Sequence, residues 1–290
     1  MKTFETPRPV TAVIHMATKS NILVIAEERG DTTVEVTPKT LRRGVEQRLK
    51  DHLTVSFTNG LLEVTFRPPL RTSWFDFATA VDVTVRLPLG SKLRATTGMG
   101  HLRCEGIFDE VELKSGQGEI WVDRCVSLRS RTGNGDCHIG RVTERIDVAT
   151  GNGTLRLGSL NGDGSVSSAH GDVFVSDISG RVRLKSAHGD MVVRQSCGEV
   201  DLKTSHGNLR VEDAIRGSVS LRTASGSVGV GVREGTAAWL DLNSASGRIR
   251  NDLGPAAGPS EAQETLEVVA RTGNGDVVIR RAAGPEAAAA

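Results

Sequence analysis

The chain has 290 residues and a formal net charge of +1, with 36 basic and 35 acidic residues. This balance excludes the strong positive field of a dedicated nucleic-acid-binding protein, and an aromatic content of 3% is too low for base-stacking platforms. No apolar stretch reaches the roughly 18 residues of a membrane-spanning helix, and residues 1–10 lack the apolar segment of a secretory signal. We therefore expect a cytoplasmic protein with no membrane span, no nucleic-acid partner and four reduced cysteines.

Residues 1–88 predict a β-rich N-terminal cap. Apolar and polar residues alternate with the period of a strand in three short segments, at residues 10–16, 21–26 and 33–36. Between two further alternating segments lies Asn59-Gly60, the preferred sequence of a two-residue hairpin turn. The sequence therefore predicts a β-hairpin at this point.

An aromatic cluster interrupts this pattern within residues 67–80. Trp74, Phe75 and Phe77 lie close together in a chain that has few aromatic residues. They are candidates for anchors that bind a protein partner. They are equally candidates for a plug over the open end of the repeat that follows, since exposed strand edges pair with other chains.

A repeat of about 18 residues fills residues 89–281. It is anchored on ten glycines, which are Gly100, Gly118, Gly135, Gly153, Gly171, Gly189, Gly207, Gly226, Gly247 and Gly275. Apolar residues lie seven and five positions before most anchors and two and four positions after them, with polar residues between. Each repeat therefore predicts two short strands with one buried face, and stacked repeats pair each strand in parallel with its equivalents above and below. The predicted fold class is an all-β, right-handed parallel β-solenoid (a β-helix) of about ten coils.

The turn before each anchor has a fixed composition. A hydroxyl side chain lies three residues before all ten anchors, and the residue after it is always small. Because ten equal positions are not ten active sites, we expect hydroxyls that face inward and hydrogen-bond to the turn backbone or to one another. The anchors themselves are expected to adopt a positive φ, which glycine does without steric cost.

The end of the repeat is less regular. The last two anchor spacings are 21 and 28 residues, and two Gly-Pro pairs within residues 252–264 predict a surface loop before the final strand pair. Residues 282–290 lack core residues and predict a disordered tail.

Five turn motifs resemble those of the bacterial β-strand-repeat family called "putative adhesin", a family of unknown function. The motifs are Thr132-Gly-Asn-Gly-Asp, Thr150-Gly-Asn-Gly-Thr, Ser168-Ala-His-Gly-Asp-Val, Ser186-Ala-His-Gly-Asp and Thr272-Gly-Asn-Gly-Asp-Val. The resemblance extends from about Val10 to Arg280. It implies a β-helix-like solenoid capped by an N-terminal β segment, and it implies no catalytic residue.

Three histidines are the sharpest candidates for chemistry. His170, His188 and His206 each lie one residue before the anchor in successive coils, and stacking would bring their backbones to about 4.8 Å. With Asp172 and Asp190 after the same anchors, they would suit a divalent transition metal such as zinc, or form a pH-sensitive element. The other interpretation is turn chemistry, because Asn and His both tolerate left-handed backbone and Asn takes this position in other coils.

The remaining candidates lie on the outside of the coils or in the core. Trp121 and Phe174 point outward and are candidates for a partner patch. Basic residues recur four positions before six anchors, and either track phosphates or form ion pairs with acidic neighbours; they are Lys114, Arg131, Lys185, Lys203, Arg222 and Arg271. Cys104, Cys125 and Cys137 take inward positions and are expected to behave as small apolar residues.

Three functions follow from this pattern. The first is a non-enzymatic scaffold or binding protein that uses a solenoid face for protein–protein contact and needs no cofactor. The alternative is a metal- or small-molecule-dependent enzyme built around the three histidines. The third is assembly into filaments through open ends of the solenoid.

Overall fold

Alternation of apolar and polar residues produces strands along most of the chain that the structure describes. This structure is a computed structural model, and it describes residues 1–39, 52–66, 80–254 and 264–282. Within these ranges it contains 23 strands, most of them paired in parallel. The predicted all-β parallel solenoid is therefore confirmed, and its right-handed winding stays a prediction.

Some predictions fall on parts of the chain outside these ranges. They concern Trp74, Phe75 and Phe77, most of the loop at residues 252–264, and the tail after residue 282. The domain boundaries at residues 88 and 281 stay predictions. Among the described residues, no helix has the length and apolar character needed to cross a membrane.

The first of two compact units is Met1–Val142. Its strands are β1 (Lys2–Glu5), β2 (Thr11–Glu27), β3 (Asp31–Pro38), β4 (Leu53–Thr58), β5 (Leu61–Phe66), β6 (Val81–Pro88), β7 (Lys92–Met99), β8 (Leu102–Gln117), β9 (Ile120–Asn134) and the start of β10 (Cys137–Asn152). The predicted hairpin is confirmed, because β4 and β5 pair antiparallel and Asn59 and Gly60 have φ values of 52° and 78°. These are the left-handed conformations that a type I′ turn requires.

Strand β2 forms a solenoid coil that the sequence did not reveal. Its first half pairs in parallel with β7 and its second half with β8. Ser20 takes the place of the anchor: a Cβ on Gly100 would lie 2.0 Å from the Ser20 carbonyl oxygen, and the Ser20 hydroxyl lies 2.9 Å from that of Thr97. Serine in the anchor position explains why the alternation predicted two separate short strands here.

Strands of mixed direction cover β2 on its other side. β5 and β6 pair in parallel with the two halves of β2, while β4 and β3 pair antiparallel with β5 and β6. β1 adds antiparallel to β3. Ile14 and Val24 of β2 are consequently 1% and 0% exposed. The extent of the predicted β-rich cap, residues 1–88, stays a prediction, and β2 within this range forms a solenoid coil.

The second compact unit, Thr143–Ala290, is a parallel stack of coils. Its strands after β10 are β11 (Leu155–Leu160), β12 (Asp163–His170), β13 (Val173–Ile178), β14 (Arg181–His188), β15 (Met191–Ser196), β16 (Glu199–His206), β17 (Leu209–Ala214), β18 (Gly217–Ser225), β19 (Val228–Val232), β20 (Ala237–Ser246), β21 (Ile249–Asn251), β22 (Thr265–Asn274) and β23 (Val277–Arg281). Even-numbered strands from β10 to β18 form one ladder, and odd-numbered strands from β11 to β19 form the other. Equivalent inward residues lie in register and are buried, as Val182, Val200 and Val219 are.

The last coil in the sequence is not the last coil in this stack. In one ladder, β22 lies between β18 and β20 and pairs with both. In the other ladder, β23 lies between β19 and β21 in the same way. The coil formed by β20 and β21 is therefore outermost, and we call it the end coil. The long anchor spacings of 21 and 28 residues supply the chain needed to step out to the end coil and back.

The anchor glycines adopt the predicted positive φ, with values between 127° and 156°. Close stacking is a second reason for glycine at these positions. A Cβ on Gly189, for example, would lie 2.2 Å from the carbonyl oxygen of Gly171 in the coil beneath. The glycine column therefore sets how closely the corners of successive coils approach.

Candidate functional site

Several of the turn hydroxyls make the hydrogen bonds to turn backbone that the sequence predicts. Ser186 and Thr204 donate to the carbonyl oxygens of His188 and His206, over 3.0 and 3.3 Å. Thr272 donates over 2.8 Å to the carbonyl oxygen of Gly226 in the neighbouring coil. Within the described residues, the buried hydroxyls of Ser115, Thr132 and Ser168 have no hydrogen-bond partner. The hydroxyl column serves the turns and offers no nucleophile paired with a base.

The three histidines form an exposed stack along one corner of the second unit. His170, His188 and His206 are in register, with ring centroids 5.0 and 4.8 Å apart and ring planes within 10° of parallel. Parallel rings place their nitrogen atoms in successive planes, and such atoms do not converge on one point. Among the residues described, no group of three or more His, Cys, Asp and Glu side chains is arranged to hold a metal ion.

The carboxylates beside this stack bind backbone instead of completing a metal site. Asp172 Oδ1 accepts the backbone N–H of Asp190 over 2.9 Å, and Asp190 Oδ1 accepts that of Asn208 over 2.7 Å. Asn208 Oδ1 continues the series by accepting the N–H of Ser227. Each side chain thus joins its coil to the next one. This coil-to-coil hydrogen bonding was not predicted from the sequence, although a polar residue follows nearly every anchor and indicates it.

The thiols in the first unit are buried, as predicted from their inward positions. Burial raises the pKa of the Cys104 thiol, and it raises the pKa of Cys125 and of Cys137 to about 12. All four cysteines are free, and only Cys197 is partly exposed. Because the thiolate is the reactive form, the three buried thiols are poor nucleophiles near neutral pH.

Trp121 belongs to a stack of planar side chains on the first unit. The His138 ring lies 3.9 Å from the Trp121 ring at an interplanar angle of 13°, and the Arg103 guanidinium lies 5.6 Å from its centroid on the rung before. These neighbours occupy the faces of the indole. What remains exposed of Trp121, a predicted partner residue, is mainly its edge.

One face of the second unit carries a group of ion pairs. This ion-pair face consists of the outward residues of β12, β14, β16 and β18. Arg181 pairs with Glu199, and Arg183 pairs with Asp201 over 2.9 Å. Arg222 also lies 3.7 Å from Asp201. The basic column predicted from the sequence therefore includes members that bind acidic neighbours.

The opposite face of the same coils is apolar and basic. We call it the Phe174 face, which consists of the outward residues of β11, β13, β15, β17, β19 and β23. Arg156, Phe174, Val192 and Arg210 lie on successive rungs in register, with the Arg156 guanidinium 5.9 Å from the Phe174 ring. Phe174, another predicted partner residue, is 39% exposed.

A depression of about 450 Å³ lies on the Phe174 face beyond Arg210. Its floor is the backbone of β19, where Gly229 and Gly231 take the two outward positions. Arg210 borders it on one side and Val278 and Arg280 on the other. This depression was not predicted from the sequence, although glycine at two outward positions of one strand indicates a surface without side chains there.

The sequence of the chain matches the family described as "Toastrack DUF4097" over residues 13–284. The chain belongs to this Toastrack DUF4097 family. The resemblance read from the turn motifs is thereby confirmed, and it covers the solenoid together with most of its cap. No curated protein matches the chain.

Solved structures similar to this Toastrack DUF4097 chain come from several bacteria. A "putative lipid binding protein" from Parabacteroides distasonis is 12% identical, with 96% of this chain and 95% of that chain covered and a TM-score of 0.39. A "putative adhesin" from Bacteroides fragilis is also 12% identical, with the same coverage and a TM-score of 0.37. A "putative cell adhesion protein" from Clostridium sporogenes is 10% identical, with 97% and 98% covered and a TM-score of 0.20.

Proposed function

We propose that this Toastrack DUF4097 chain is a non-enzymatic binding protein whose Phe174 face contacts a protein partner. The observation that supports this proposal is the difference between two faces of the same coils. On the ion-pair face, Arg181, Arg183 and Arg222 pair with acidic neighbours, and Lys203 is left without an ion pair among the described residues. On the Phe174 face, Arg194 pairs with Asp177, while three further guanidinium groups beside an apolar centre have no ion pair among the described residues. Flat faces of stacked strands are the surfaces that solenoid proteins offer to partners.

The composition of the Phe174 face is that of a protein interface. Aromatic and arginine side chains are enriched in interface centres, while lysine and aspartate are depleted there. Phe174 and Val192 form an apolar centre between Arg156 and Arg210. Within the described residues of the Phe174 face, three arginines, Arg156, Arg210 and Arg280, have no ion pair. Glu212 is the one acidic residue described on this face that has no ion pair. We infer that the partner is acidic where it meets this face.

The enzyme hypothesis receives no support from the groups that would carry it. The hydroxyls bond to turn carbonyls, Asp172 and Asp190 bond to backbone N–H groups, and the imidazoles stack on one another. The three buried thiols have raised pKa values. Each group that could act as nucleophile, base or ligand among these has a structural role instead.

The test is a matched pair of charge reversals within one coil. Arg210 and Lys203 are both exposed, and neither has an ion pair within the part of the chain that the structure describes. Arg210→Glu changes the Phe174 face and Lys203→Glu changes the ion-pair face. In quantitative affinity capture from the native host, a partner should be held by wild type and Lys203→Glu, and its recovery should fall about tenfold with Arg210→Glu.

Phe174→Ala provides a second variant that leaves the charges unchanged. It should lower recovery of the same partner, because it removes the aromatic side chain from the centre of the face. Equal losses with Arg210→Glu and Lys203→Glu, or no loss with Phe174→Ala and Arg210→Glu, would assign the contact to another surface.

A further inference from the structure

The end coil has two strand edges without partners in the part of the chain that the structure describes. There, β20 pairs only with β22, and β21 pairs only with β23. Among these residues, the outer edges of both strands therefore leave backbone N–H and C=O groups without a strand partner. Such edges are templates for pairing with another strand.

The apolar core of the second unit is also open at the end coil. Leu240 and Leu242 are partly exposed, whereas their register partners Val268 and Ala270 are 0% exposed. Ile249 is 48% exposed, against 0% for its partner Val277. Two strand edges without described partners thus flank an apolar ladder that is partly exposed.

Strand β20 lacks the features that normally block edge pairing. Its sequence, Ala237-Ala-Trp-Leu-Asp-Leu-Asn-Ser-Ala-Ser, contains no lysine, arginine or proline, which natural edge strands use for this purpose. Its one charged residue, Asp241, is paired with Arg271 of β22 over 2.7 Å. Trp239 adds an aromatic side chain that is 61% exposed.

We propose that the end coil is the contact surface of a closed dimer of this chain, and this proposal is independent of the Phe174 face. A single extended peptide would pair with one edge and leave the other edge and the apolar ladder open. A second end coil brings two strands at the matching separation with the matching ladder between them. A two-fold axis across the strands makes β20 antiparallel to its copy and places the two ladders face to face.

Side-chain pattern limits the registers of this pairing. Inward residues must meet inward residues, since a shift by one residue would turn the apolar set to solvent. With Leu240 opposite its own copy, Trp239 faces Asp241 of the second copy, and no like charges meet along β20. On β21, Arg250 is already paired with Asp252 over 2.8 Å. The self-pairing therefore brings no like charges together along β20 in this register, and Arg250 on β21 has an acidic partner of its own.

The first unit explains why this pairing closes at two copies. Its outermost parallel strands, β5 and β6, are covered by the antiparallel strands β4 and β3. Its described strands therefore offer no second pair of open parallel edges of the kind that the end coil has. End coils join to end coils, and filament growth through the first unit does not follow.

The test is the solution mass of the full chain by sedimentation velocity, between about 1 and about 300 µM. The wild type should approach twice the 30.8 kDa of the chain as concentration rises. Leu242→Lys places an ammonium group in the joined core and should raise the dimer dissociation constant about tenfold or more. Phe174→Lys, at an exposed aromatic residue outside the end coil, should leave it unchanged.

Trp239→Lys gives the same test at an outward position whose change does not threaten folding. It should weaken the dimer while the circular dichroism spectrum stays that of wild type. A wild-type protein that remains monomeric at every concentration overturns the proposal. This holds whether another segment of the chain covers the outer edges of β20 and β21 or they stay open. A dimer that Trp239→Lys and Leu242→Lys leave as strong as the Phe174→Lys control also overturns it.

Discussion

The coil of β2 in the first unit and the end coil in the second unit differ in how their outer sides are covered. In the first unit, β2 is covered by β5 and β6 and by antiparallel strands beyond them, and Ile14 is 1% exposed. In the second unit, the end coil has no such cover in the described chain, and Ile249 is 48% exposed. A stack of coils stays soluble only where its end is closed, so the open end predicts a contact and the closed end does not.

The largest expected effect comes from adding one methyl group to the glycine column. In Gly275→Ala the new Cβ would lie 2.2 Å from the Gly226 carbonyl oxygen, between two backbones that cannot separate. We expect the free energy of unfolding in urea to fall by about 3 kcal/mol or more.

Gly235→Ala is the matched control, in the turn that leads out to the end coil. Gly235 also has a positive φ, of 82°, but a Cβ there would meet nothing within 4 Å. Only the backbone cost of about 1–2 kcal/mol should therefore appear. Equal losses in the two variants would mean that the last coil of the sequence is not stacked on the coil of Gly226.

A second pair of variants compares the coil of β2 with the end coil directly. Ile14→Ala removes a fully buried side chain from β2 and should lower the free energy of unfolding by about 2–5 kcal/mol. Ile249→Ala removes a half-exposed one and should cost less than about 1 kcal/mol in the monomer. Chemical denaturation at low protein concentration measures both, and a large cost for Ile249→Ala would show that the end coil is covered.

The smallest expected effect is the reaction of the cysteine thiols with a reagent, which reports whether the core of the first unit stays closed to solvent. Because burial raises the pKa of Cys125 and Cys137 to about 12, these thiols stay protonated until strongly alkaline pH. With an aromatic disulfide reagent near neutral pH, only Cys197 should react in the folded protein, and all four should react in urea. Prompt reaction of Cys125 or Cys137 in the folded protein would show that the first unit opens.

The features predictable from sequence are those that each coil must satisfy alone. The ten anchor corners combine a positive φ with close backbone approach, so glycine marks them, and turn carbonyls accept hydrogen bonds from hydroxyls such as those of Ser186 and Thr204. The Asn59-Gly60 hairpin is local in the same way. Such requirements recur with the period of the fold and can be read from one chain.

The features that escaped prediction depend on which distant segments pair. Ser20 replaces glycine in the coil of β2, so the period does not show that coil. The insertion of β22 between β18 and β20 is a choice of partner, and the alternation is the same for either order. The histidine column was predicted to be in register, but ring stacking in place of metal binding is set by side-chain orientation, which spacing does not specify.

The order of coils in the second unit is tested most directly by hydrogen exchange at a concentration low enough to keep the protein monomeric. We expect slow exchange of the backbone amides throughout β22, the last long strand of the sequence, because β22 has strand partners on both sides. We expect fast exchange for alternate amides of β20, which lie on the open edge. Protection along all of β20 together with fast exchange in β22, the result expected if coils stacked in chain order, would contradict this order of coils.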